Sequence, residues 1–137
     1  MEVEKDLIKR EIQKLTLTIN SLIEKICGLN SNNSKSGIKK ISEALKSELD
    51  LSLDRIIEME ASELIKHISN LHESHTEKIA ELIYEIIIKS ETVDFGKKYE
   101  KNKFIEKGII IIDFLNEKSK TFSMKRMNMK NALQHRI

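Results

Sequence analysis

The chain has 137 residues, of which 34% are charged and 39% hydrophobic, with a formal net charge of +2. Proline and tryptophan are absent and glycine occurs four times, which excludes collagen-like and proline-linker classes and leaves too few turn residues for a β-sandwich or barrel. The length implies one domain over 1–137; one cysteine, Cys27, excludes an intramolecular disulfide and points to a reducing, cytoplasmic setting.

The first predicted element is a helix over 1–29. Its apolar residues Ile8, Ile12, Leu15, Ile19, Leu22, Ile26 and Leu29 recur at alternating steps of four and three, a heptad seam that no strand would show. With Ile12, Ile19 and Ile26 at position a, the residues Ile8, Leu15, Leu22 and Leu29 fall at d. β-Branched residues at a with leucine at d favour parallel two-stranded pairing, so the seam is read as a homodimer interface. The alternative is a long helix packed lengthwise on its own chain, for which Ile23, widening the stripe, is the signal.

A loop over 30–37, rich in asparagine and serine, separates this rod from a helical body over 38–137. There, Ser36 is the expected N-cap of a helix whose face is Ile38, Ile41, Leu45 and Leu49. Short helices are expected over Leu53–Met59 and Ser62–Ser69. Ser74 and Glu77 fit a capping box, opening a helix to about Lys89 that buries Ile79, Leu82, Ile83, Ile86 and Ile87. Thr92–Gly96 reads as a turn. A helix over Lys97–Lys118 should bury Phe104, Ile105, Gly108, Ile109, Ile112 and Leu115, and Thr121 or Ser123 should cap a last, basic helix. The runs Ile86–Ile88 and Ile109–Ile112 favour strand by propensity, but each continues a helical stripe too long for a strand. The expected fold is all-α, a bundle of six or seven helices.

Two resemblances accompany this reading. The pair of helices over 74–118, with glycine three residues after Ile105 and aromatics nearby, resembles a tetratricopeptide hairpin. It departs from that repeat at Lys89 and Lys101, where the repeat has small residues, and it is a single hairpin where repeat proteins need ~3 units. The opening Asp6–Leu15 segment followed by such helices is similar to a family of small uncharacterised all-helical bacterial proteins. That resemblance implies no activity, cofactor or catalytic residue.

Little in the chain promises chemistry. His72 and His75 are three apart, one short of the zinc-protease spacing, and Ser74 as an N-cap would place them in a solvated loop. Cys27 lies near a helix C-terminus, whose negative end raises a thiol pKa, and is expected to be a half-buried small hydrophobe. No glycine-rich phosphate loop and no nucleophile–base pair can be named, so no enzyme, metal or cofactor is expected. Nor does any stretch approach the ~20 apolar residues of a membrane span.

Charge, however, is uneven. Residues 1–33 are neutral, 34–92 carry −4 and 93–137 carry +6. A basic surface of Lys118, Lys120, Lys125, Arg126, Lys130 and Arg136 follows from the last segment. It could contact nucleic-acid phosphates, or it could complement the acidic middle of the chain. The leading expectation is a non-catalytic scaffold or adaptor, homodimeric and engaging an unknown protein partner; the alternative is a nucleic-acid-associated protein.

Overall fold

The computed structural model describes residues 2–137, with side chains from Lys5 onward. It contains seven helices: α1 (Glu2–Cys27), α2 (Ser34–Leu49), α3 (Leu53–Glu58), α4 (Ala61–Ile68), α5 (Glu73–Lys89), α6 (Lys101–Lys118) and α7 (Met124–Gln134). No strand occurs among the described residues, and both isoleucine runs are helical. The all-α bundle expected from periodicity is what forms.

α5 is the axis. Its Ile79, Leu82, Ile83, Ile86 and Ile87 are buried, packed between α1 on one side and α6 on the other. Cross-links along α1 and α5 rise together in number: Ile12 with His75, Asn20 with Lys78, Cys27 with Lys89. The two helices therefore run parallel. A parallel return needs a long connection, and α2, α3 and α4 supply it, folding across α1 and α6 before α5 begins. The contacts of α7 with α6 fall in number as α7 advances (Arg126 with Asn116, Lys130 with Asp113), so those two run antiparallel.

Several helix starts differ from the sequence reading. α2 begins at Ser34, with Asn33 as N-cap rather than Ser36. The Ser36 hydroxyl donates to the Asn33 carbonyl instead, and the buried Ser34 hydroxyl donates to Asp94 O at 2.6 Å. α5 is capped by His72, whose Nδ1 accepts the Ser74 amide at 3.1 Å. The imidazole thus takes the acceptor role that a capping box gives to serine, and Ser74 lies inside the helix. α6 begins at Lys101, four residues late, because the chain first turns at Gly96, whose φ of 99° is a conformation natural to glycine. Ser123 caps α7 as expected, accepting the Arg126 amide.

Gly108 sits where three helices meet. A Cβ there would lie 3.0 Å from Leu133 of α7 and 3.3 Å from Ile83 of α5. The close approach expected of a mid-helix glycine comes from both neighbours.

Candidate functional site

The α1 seam divides in two. Ile19 and Ile26 are fully buried, Leu22 and Ile23 nearly so, and the helix that covers this half is α5 of the same chain. Ile12, Leu15 and Leu29 are half-buried. Ile8 is 58% exposed and Leu7 53%. The a row is thus largely consumed within the chain, which withdraws it from the parallel seam that its residue types favour. The widening by Ile23 was the sequence signal for this outcome.

The register explains the exposed half. His75, at the third position of α5, donates from Nε2 to the Ile12 carbonyl at 3.0 Å. Everything in α1 before Ile12 therefore extends past the start of its partner helix. That overhang is ~15 Å long at 1.5 Å per residue, and every side chain from Lys5 to Glu11 is exposed.

A cleft of about 530 Å3 opens at the other end of α1, where α2 folds back beside it. Leu22 and Leu29 line one wall, Ile41 and Ala44 the other, with Lys25 and Lys40 on the rims and no acidic residue. Leu29 closes one end: a Cβ on Gly37 would meet its Cδ2 at 2.4 Å, so only glycine admits that contact without displacing the leucine.

The basic end forms pairs inside the molecule. Arg126 is buried, bonded to Glu77 and to Asn116 Oδ1 at 2.8 Å and Thr121 O at 3.0 Å. Lys125 reaches Glu81 at 3.0 Å, Lys130 reaches Asp113 at 2.6 Å, and Arg136 binds Glu91. Burial pushes Glu81 up, but hydrogen bonds from Lys125 and Lys78 outweigh it and hold the carboxyl below its usual range. The hydrogen bond from Arg136 holds Glu91 down in the same direction. Lys118 lies 5.4 Å from the centre of the Phe114 ring, a cation–π contact; Lys120 is exposed. Of the two fates open to the +6 segment, complementing the acidic middle within the chain accounts for three of its six named cations, Lys125, Arg126 and Arg136, while Lys130 pairs with Asp113 of its own segment.

His72 and His75 have tilted rings 5.6 Å apart, but both are occupied with backbone, and His75 is buried rather than in a solvated loop. Among the described residues no three His, Cys, Asp or Glu side chains gather so as to hold a metal ion. Cys27 is exposed rather than half-buried. Burial of the sulfur and the nearby Glu85 carboxylate raise its pKa, the expected direction by a different cause.

Two polar features escaped the sequence reading. Lys107 is buried in α6 and donates to the Met59 carbonyl at the C-terminal end of α3, where a cation meets the negative end of the helix dipole. Asp54 accepts from Tyr99 Oη and from Lys98 at 2.8 Å, tying the loop before α6 to the first turn of α3. Its signal was faint: three ordinary residues distant in sequence. No helix of the described residues is long and apolar enough to cross a membrane. No protein-family model, curated protein or solved structure matches the chain.

Proposed function

We propose that this chain is a non-catalytic helical scaffold that associates with itself and offers helical surface to a protein partner. The observation that carries the reading is the overhang of α1. A helix of two or three turns is marginal without tertiary cover, and Leu7 and Ile8 there stand more than half exposed. Covering them with a second chain would supply what the parallel register with α5 does not. The charged groups that gather between α5 and α7 support the same reading, since Glu77, Glu81, Lys125 and Arg126 are engaged with one another in ion pairs. A reducing cytoplasm fits the lone thiol of Cys27.

Light scattering of the full chain at micromolar concentration should give a dimer. Changing Ile8→Asp and Leu7→Asp should yield a monomer that loses at most the helicity of the overhang and keeps the urea midpoint of the core, because both side chains lie outside that core. A wild-type monomer at high micromolar concentration would overturn the reading.

A further inference from the structure

With the a row against α5, the d row turns to the overhang and the α1/α2 cleft: Ile8 is exposed, Leu15 and Leu29 are half-buried, and Leu22, only 4% exposed, lines the cleft wall. Ile8, Leu15, Leu22 and Leu29 form that row, and Glu11, Thr18 and Lys25 alternate with them at steps of three and four, so all lie on one stripe. Read from either end towards Thr18, the stripe has the same order of types: an aliphatic residue, a charge, an aliphatic residue. The charges differ in sign. Glu11 is acidic on the overhang; Lys25 is basic on the rim of the α1/α2 cleft, with Lys40 on the opposite rim. Glu11, Lys25 and Lys40 are exposed, and among the described residues none of the three forms an ion pair.

We infer, building on the self-association reading above, that two copies pair antiparallel along α1, the overhang of each lying in the α1/α2 cleft of the other. In that orientation Ile8 approaches the cleft end at Leu29 of the partner subunit, Leu15 lies over the cleft wall at Leu22 of the partner subunit, and Glu11 faces Lys25 of the partner subunit, each contact made twice. A parallel pairing would set Glu11 against Glu11 and Lys25 against Lys25, like charges that disfavour it. The pairing is isologous and closes at two copies, since each copy uses both its overhang and its cleft. The shared strip, from Ile8 to Leu29, is ~33 Å long, about twice what two overhangs meeting tip to tip could cover.

Charge reversal tests this without touching the core. Glu11→Lys and Lys25→Glu, each alone, place two like-charge pairs in the interface and should weaken dimerisation about tenfold in sedimentation equilibrium. The double variant Glu11→Lys with Lys25→Glu restores both pairs with the signs exchanged and should return the affinity to near the wild-type value. A dimer indifferent to both single changes, or a double variant no tighter than the singles, overturns the antiparallel arrangement while leaving self-association standing. A wild-type chain that stays monomeric overturns both.

Discussion

At the scale of single residues, a charged side chain in the core is the hardest thing to read in a sequence. Lys107 stands between Phe104 and Ile111 on a helix whose other buried positions are apolar, and lysine is almost never fully buried without a partner. What holds it is a carbonyl at the end of α3, a partner that only the folded chain brings near. Gly108 beside it was legible, because a mid-helix glycine costs about 1 kcal/mol relative to alanine and that cost implies a close neighbour. Both groups that a Cβ would meet belong to fully buried side chains, Leu133 and Ile83. Gly108→Ala should therefore gain helix propensity and lose packing in similar measure, for a small net change. Gly108→Val adds volume with nowhere to go and should cost about 1–3 kcal/mol. Chemical denaturation of the two variants separates these terms; a valine variant as stable as wild type would show that α6 is not pressed between α5 and α7.

Helices as elements were readable because their stripes are long, while their ends were not, because where a helix starts depends on local hydrogen bonds that composition does not rank. His72 took the amide expected for Ser74, and Asn33 stands at the N-cap of α2 with its side chain turned back to the Asn30 amide, whereas Ser123 capped α7 as expected. The loop between α5 and α6 is anchored by a tie of the same unpredictable kind. Burial raises the Asp54 carboxyl, but the hydrogen bonds from Lys98 and Tyr99 prevail and lower it below its ordinary value. Burial and the hydrogen bond to Asp54 push the Tyr99 phenol up to about 12. In the unfolded chain Asp54 takes up its proton at a higher pH than in the folded one. Its contribution to stability is therefore whole above the ordinary Asp value of about 4 and disappears as the pH falls through the folded value. Tyr99 acts at the other edge: its contribution is whole below about 10 and is lost as the pH rises through about 12. Asp54→Asn should lower the urea midpoint near neutrality and flatten its decline in acid. The same change should bring the Tyr99 phenolate titration back towards 10. If the acid decline keeps its slope, the tie does not hold the loop.

For the molecule as a whole, composition gave away the class and periodicity the number of helices, but not the parallel pairing of α1 with α5. That arrangement depends on a 45-residue connection through α2, α3 and α4, whose course no local pattern encodes. The same arrangement decides where the charges go. A neutral first segment, an acidic middle and a basic end look, in sequence, like a chain with a cationic tail free to meet a polyanion. Folded, α7 lies against α6 and α5, and Lys125, Arg126, Lys130 and Arg136 each meet an acid from that body or the turn after it. Six free cations on phosphates would give a logarithmic salt slope of about −5 for binding to duplex DNA, at roughly −0.9 per phosphate. Lys118 and Lys120, the two without an acidic partner, would give about −2 by the same rule. Fluorescence anisotropy with a short labelled duplex, titrated from low to physiological salt, should therefore show weak affinity and a slope no steeper than about −2. A slope near −5 that becomes shallower on Lys125→Gln and Lys130→Gln would mean that the internal pairs open in favour of phosphate. The basic helix would then be a nucleic-acid surface, and the acids of α5 and α6 only its resting partners.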